Sequence, residues 1–145
     1  MKTRFAVLLG VSALLGIALS VEAAPIKLLC KGKMTTALDA EKLTDPARVV
    51  VEFDQAAGWV SFNGWAIDAE RIPATSSKTV MTFSHTARGP GVVSTTKGSI
   101  EIAAARIFLD TTISSQGGHG QRWTTPFGIQ VNTLRMTGDL RCQTP

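Results

Sequence analysis

The chain has 145 residues, with 15 lysines and arginines against 11 aspartates and glutamates, for a net charge of +4. This excess is mild, so the composition gives no indication of nucleic-acid binding. The two cysteines and two histidines show neither Cys-x-x-Cys nor His-x-x-x-His spacing, so we expect no metal site and no cofactor.

The first residues have the three parts of a secretory signal peptide. Lys2 and Arg4 give the positive start, residues 5–19 form an apolar run, and small residues precede a cleavage point after Ala23. The alternative is a membrane anchor, but this run is shorter than the ~20 residues that cross a bilayer. We expect residues 1–23 to be removed and residues 24–145 to form one domain, periplasmic or secreted, with no membrane span.

The domain begins with a predicted strand. Residues 26–34 alternate, with Cys30 among the apolar residues of one face and lysines on the other. Residues 36–45 contain helix formers behind a Thr-x-x-Asp start and stop before Pro46. They are therefore predicted as a helix of at most about two turns or as a loop.

A second strand and a hairpin follow. Residues 48–54 alternate strongly, and the residues that this pattern turns inward are Val49, Val51 and Phe53. The dipeptide Asn63-Gly64 is the favoured sequence of a two-residue type I′ turn. The apolar pairs that such a hairpin would form are Phe62 with Trp65 and Val60 with Ile67.

The second half of the chain predicts short strands separated by turns. A strand over residues 79–85 turns Met81 and Phe83 inward, and turns are expected at 88–91 and at Lys97-Gly98. The other predicted strands are 92–95, 99–102, 106–113 and 129–142, with a bulge near Asn132-Thr133. Residues 103–105 fit a bulge, a corner or continuous strand, and the glycine-rich residues 114–128 fit a long loop.

About eight short strands with little helix predict an all-β domain, either a small antiparallel barrel or a sandwich. The first and last strands each carry one of the two cysteines. In an oxidising compartment such cysteines pair more often than they stay free. We therefore expect the N- and C-terminal strands to pair, with a disulfide between Cys30 and Cys142.

This disulfide predicts a register for the two terminal strands. On the inner face the predicted pairs are Gly32 with Leu140 and Met34 with Gly138, so that small residues face large ones in a filled interior. On the outer face they are Lys33 with Asp139, which is favourable, and Lys31 with Arg141, which is mildly unfavourable. A slip by one residue would send the two cysteines to opposite faces.

The sequence predicts no catalytic site. It lacks a Gly-x-Ser-x-Gly motif, and the glycine-rich stretches lack the strand-to-helix context of a phosphate loop. His85 ends a predicted strand, and His119 lies in a Gly-Gly-His-Gly segment. A small hydrolase that combines one of these histidines with Asp54 or Asp110 and a serine remains an alternative.

Two surface features are candidate binding sites. One is a basic stripe on the outer faces of the terminal strands, formed by Lys27, Lys31, Lys33, Arg135 and Arg141. It could meet an anionic component of the cell envelope or an acidic exported protein, although a solvated sheet face has the same pattern. The other is the loop with His119, Arg122 and Trp123, which suits recognition unless Trp123 packs over the end of the barrel.

Three motifs resemble those of small exported bacterial β-rich proteins of uncharacterised function. They are Cys30-Lys31-Gly32, the Val-x-Val-x-Phe-Asp pattern of residues 49–54, and Leu140-Arg141-Cys142. The plan is also similar to that of the periplasmic C-type lysozyme inhibitors, small barrels whose terminal strands are joined by a disulfide. Their Ser-Gly-x-x-Tyr loop is not found, and the chain has no tyrosine, so no inhibitory residue is carried over.

Together these features predict an exported, non-catalytic binding or structural β-domain. The alternatives are an inhibitor of a cell-wall hydrolase, a calycin-like carrier of a small apolar ligand, and the hydrolase described above. A carrier needs an open interior, whereas the predicted glycine pairs indicate a filled one.

Overall fold

The computed structural model describes residues 23–38, 41–66, 68–116, 123–124 and 130–145. These residues form strands joined by turns, and no helix occurs among them. The strands are β1 (Ile26–Leu38), β2 (Glu41–Asp54), β3 (Trp59–Asn63), β4 (Ala69–Ser76), β5 (Val80–Gly89), β6 (Val92–Glu101), β7 (Arg106–Ser115), β8 (Trp123–Thr124), β9 (Gln130–Val131) and β10 (Thr133–Gln143). The predicted leader, residues 1–23, lies outside this part of the chain except for Ala23.

Eight of the strands form a closed antiparallel barrel in the order β1-β10-β7-β6-β5-β4-β3-β2. The short strands β8 and β9 pair with each other in a separate sheet. Where the barrel is closed, its strands lack the free edges that a sandwich would keep. The all-β prediction is confirmed, and of its two forms the barrel is the one observed.

The seam between β1 and β10 has the predicted register. Cys30 lies opposite Cys142, and the two form a disulfide across 112 residues of sequence. Gly32 lies opposite Leu140, and a Cβ atom on Gly32 would come within 2.8 Å of Leu140 Cδ2. The large side chain therefore occupies the space that the glycine leaves.

Aromatic rings pack against two more inner-face glycines. A Cβ atom on Gly138 would lie 2.6 Å from Trp65 Cη2, and one on Gly98 would overlap the Phe83 ring. The predicted neighbour of Gly138, Met34, is its cross-strand partner, but Trp65 from the β3–β4 loop also reaches this space. The interior is thus packed with side chains, as the glycine pairs predicted.

A short polar chain crosses the core. The Trp65 Nε1–H group donates to Thr111 Oγ1 at 2.7 Å, and the Thr96 and Thr111 hydroxyls are 2.8 Å apart. All three residues are buried. A buried indole N–H needs a partner, and the threonine on β7 provides it.

The prediction of a helix or loop over residues 36–45 is wrong. These residues belong to a long ribbon in which β1 pairs with β2 from Ile26 opposite Phe53 to Leu38 opposite Glu41, while residues 39–40 lie outside the described part. β2 pairs with β3 only from Val50 to Asp54. Pro46 therefore lies where β2 has no second neighbour among the described strands, and an edge position tolerates the missing N–H group.

The prediction of a two-residue turn at Asn63-Gly64 is also wrong. Phe62 pairs with Ala69 and Val60 with Ile72, so the connection is longer, and Ile67 lies outside the described residues. The Asp68 carboxylate accepts hydrogen bonds from the Gly64 N–H group at 2.9 Å and from Asn63 Nδ2 at 3.1 Å. The predicted hairpin is therefore replaced by a longer loop, which Asp68 closes with these hydrogen bonds and from which Trp65 enters the core.

Three other expectations change. The turn at Lys97-Gly98 does not form, because Gly98 makes room for Phe83 within the continuous strand β6. Of the alternatives for residues 103–105, the corner is the one observed, within a turn over 102–105 between β6 and β7. The predicted loop over 114–128 contains the end of β7 and β8, and the predicted strand over 129–142 is divided between β9 and β10 at Asn132.

Candidate functional site

Four cationic residues lie in one row across four neighbouring strands. Lys31 on β1 is opposite Arg48 on β2 and Arg141 on β10, and Arg141 is opposite Arg106 on β7. Residues directly opposite each other share a face, and this is the outer face because the adjacent Cys30 is fully buried. With strands about 4.8 Å apart, this cationic row spans about 14 Å.

Three members of the cationic row form no ion pair in the described part of the chain. Lys31, Arg48 and Arg141 are exposed, and neither of the two ion pairs found there includes them. Like charges directly opposite each other destabilise a sheet. The arrangement therefore costs the free protein stability, and an anion lying across the row would relieve it.

Arg106, the fourth member, is bound to Asp139. Its Nε–H group donates to Asp139 Oδ1 at 2.6 Å and its terminal amino group to Oδ2. This hydrogen bonding to Arg106 lowers the pKa of the Asp139 carboxyl. Lys33 is opposite Asp139 as predicted, but the carboxylate turns to Arg106 because the planar guanidinium donates a hydrogen bond to each of its two oxygens.

Arg135 is also neutralised. Its Nε and Nη2 atoms lie 3.0 and 2.6 Å from the two Asp110 carboxylate oxygens. Hydrogen bonding to Arg135 lowers the pKa of the Asp110 carboxyl. Arg135, a member of the predicted basic stripe, and Asp110, named in the hydrolase alternative, are therefore each other's partners.

A groove of about 580 Å³ lies beside the cationic row, on the outer face of β1, β10, β7 and β6. Its polar and charged lining residues are Lys33, Thr35, Lys97, Ser99, Asp110, Thr137 and Asp139. The Phe108 ring also lines it, with the Arg106 guanidinium 4.4 Å from the ring centroid. Both carboxylates of the groove are bound to arginines. Lys33, opposite Asp139, and Lys97, opposite Asp110, take part in neither of the ion pairs found among the described residues.

The other predicted site residues are spread over the molecule. Lys27 is opposite Glu52 and lies outside the cationic row. His119 and Arg122 lie outside the described residues, and Trp123 is the first residue of the short strand β8. The loop candidate therefore stays a prediction.

The residues suggested for a hydrolase are not brought together where the structure describes them. His85 pairs with Thr96, which is buried on the inner face, whereas Asp110 binds Arg135 on the outer face. Asp54 accepts a hydrogen bond from the Ala57 N–H group at 2.8 Å, within the turn after β2. These positions separate His85 from Asp110 by the wall of the barrel.

The described ranges contain no cluster of three His, Cys, Asp or Glu side chains arranged to hold a metal ion. They also contain no helix long and apolar enough to cross a bilayer.

Arg48 and Arg106 were not among the sequence-predicted site residues. Arg48 joins the row only because β1 and β2 form one long ribbon, and residues 36–45 had been predicted as a helix or loop. The signal was nevertheless present, since alternation from Val49 places Arg48 on the outer face. Arg106 required the pairing of β7 with β10, which no local pattern supplies.

Comparison of the chain with protein-family models, with curated proteins and with solved structures finds no match. The resemblance to small exported bacterial proteins therefore stays a prediction.

Proposed function

We propose that this protein is an exported, non-catalytic binding domain that engages an anionic partner through the cationic row. The observation that carries the proposal is the direct juxtaposition of Lys31, Arg48 and Arg141. Side chains that repel one another lower stability, whereas a bound anion interacts favourably with all three. A closed barrel with a disulfide at its seam holds in place the strands that carry these cations, which lowers the ordering cost of binding.

The alternatives receive less support from the same structure. A carrier requires internal space, but Phe83, Trp65 and Leu140 fill the space beside the three inner glycines. For a hydrolase, His85 and Asp110 lie on opposite faces of the barrel wall. An inhibitor of a cell-wall enzyme remains compatible with a cationic binding face, as one kind of anionic partner.

A charge-reversal experiment tests the proposal. The variant Lys31→Glu/Arg141→Glu reverses the centre of the cationic row, and Lys78→Glu/Arg88→Glu makes the same change of net charge at exposed positions outside it. Binding of polyaspartate is measured by calorimetry at fixed salt, with thermal unfolding to verify that both variants fold. We expect the row variant to lose about tenfold or more in affinity, and the control far less.

Equal losses in the two variants would mean that net charge alone attracts the polymer. Unchanged affinity of the row variant would show that the row is a solvated sheet face. Either result contradicts the proposal.

A further inference from the structure

We propose that the anionic partner is an acidic polysaccharide, and that the groove beside the cationic row holds one of its sugar units. The inference rests on the proposed function and adds the chemical class of the ligand.

The lining of the groove is suited to a sugar. Thr35, Ser99 and Thr137 offer hydroxyl groups that donate and accept hydrogen bonds, while the Phe108 ring offers apolar surface. Sugar rings present hydroxyl groups around an apolar C–H face, so both kinds of surface have a counterpart. The volume of about 580 Å³ lies within the range of small-molecule sites, roughly 300–1,000 Å³.

The charges of the groove favour an acidic sugar over a neutral one. Asp110 and Asp139 are each held by two hydrogen bonds from an arginine, so their negative charge is compensated. Lys33 and Lys97 lie on the two outer strands of the groove, β1 and β6, and take part in neither ion pair described. At either edge of the groove, the carboxylate of an acidic sugar would find one ammonium group to pair with.

One polymer chain can cover both the groove and the row. Lys33 is two residues from Lys31 on the same face of β1, and Asp139 is two residues from Arg141 on β10. Two residues along a strand correspond to about 7 Å. Successive acidic sugar units would therefore contact the groove and then the cationic row without a gap in the surface.

A lipid surface fits less well. Peripheral binding to a membrane combines basic residues with apolar side chains that enter the interface. The exposed large apolar residues of the described part are Ile26 and Leu43, at 45% and 46% exposure. Pairing with Phe53 and Thr36 places them on the inner-face side at opposite ends of the β1–β2 ribbon, away from the row.

The test compares two soluble polymers with equal charge, polygalacturonate and polyaspartate, at one ionic strength. The groove variant is Thr35→Val/Thr137→Val, which removes the hydroxyls of a cross-strand pair while keeping its shape. The control is Thr75→Val/Thr82→Val, an exposed cross-strand pair of β4 and β5. We expect the wild type and the control to bind polygalacturonate about tenfold more tightly than polyaspartate, because a site that hydrogen-bonds sugar hydroxyls disfavours a polymer that lacks them. The groove variant should lose that preference.

Three results would overturn the inference while leaving the proposed function intact. They are equal affinity of the wild type for both polymers, an unchanged preference in the groove variant, and tighter binding to phosphatidylglycerol vesicles than to polygalacturonate. Failure of the wild type to bind either polymer or the vesicles would overturn the proposed function as well.

Discussion

Lys31 lies directly opposite Arg141, one residue along each strand from the disulfide between Cys30 and Cys142. The two cations repel each other, and the adjacent covalent bond keeps their strands together in spite of this. The seam of the barrel and the centre of the cationic row are therefore the same structural element. A substitution in this element should therefore change both the stability of the protein and its affinity for an anionic partner.

Removal of the disulfide tests the mechanical part of this relationship. In the chain-entropy model, a bridge that closes a loop of 112 residues contributes about 4–5 kcal/mol. We expect Cys30→Ser/Cys142→Ser to lower the free energy of unfolding by about this amount, measured with urea. A reducing agent should destabilise the wild type and leave the variant unchanged. A loss below about 1 kcal/mol would show that pairing of β1 with β10 holds without the bridge.

The packing of Gly98 against Phe83 gives a second prediction. A methyl group at Gly98 overlaps the ring, so Gly98→Ala should cost about 1–3 kcal/mol of unfolding free energy. Phe83→Leu frees space, and in its background the same glycine substitution should cost clearly less. A double-mutant cycle by chemical denaturation measures this coupling. Additive effects would contradict the contact.

The polar chain in the core gives a third prediction. Thr111→Val removes the acceptor of the Trp65 Nε1–H group and leaves a buried donor unsatisfied, at a cost of about 1–3 kcal/mol. Thr112→Val is the matched control, because the neighbouring side chain is exposed. Thermal unfolding of both variants decides the matter. Similar stabilities would mean that Trp65 finds another partner.

The two Arg–Asp pairs predict a dependence of stability on pH. Hydrogen bonding to the arginines lowers the folded-state pKa of Asp110 and Asp139 below the ordinary value of 3.8. Their contribution is therefore present above pH 3.8 and is lost as the pH falls through the lower folded-state values. The pairs are partly exposed, so the effect is modest.

Asp110→Asn/Asp139→Asn is the variant for this measurement. At neutral pH its melting temperature should be below that of the wild type. The difference should vanish in acid, where the wild-type carboxyls are protonated as well. A difference that persists in acid would assign the effect to packing instead of charge.

Much of the fold followed from the sequence because it depends on short-range alternation. Val49, Val51 and Phe53 turn inward as expected, and the parity of Cys30 and Cys142 set the register of the seam. The errors arose where tertiary contacts override local preference. Helix formers before Pro46 became strand within the β1–β2 ribbon, and Trp65 left its expected cross-strand position to bind Thr111.

The candidate site could be predicted from the sequence less completely than the fold. The basic stripe gave Lys31 and Arg141, which alternate with the residues that face inward. It could not give the partners of Arg135 or Asp139, because those ion pairs join strands that are far apart in sequence. Arg48 was missed because its register depends on the ribbon that the sequence did not predict.

The most direct test of the cationic row uses one substitution and two measurements. Lys31→Gln removes the central charge between Arg48 and Arg141 while keeping a long polar side chain. We predict that the free energy of unfolding of the free protein rises by about 0.2–1 kcal/mol, because repulsion is relieved, while the affinity for polyaspartate falls. A variant that is no more stable than the wild type, or that binds the polymer equally well, would contradict the central claim.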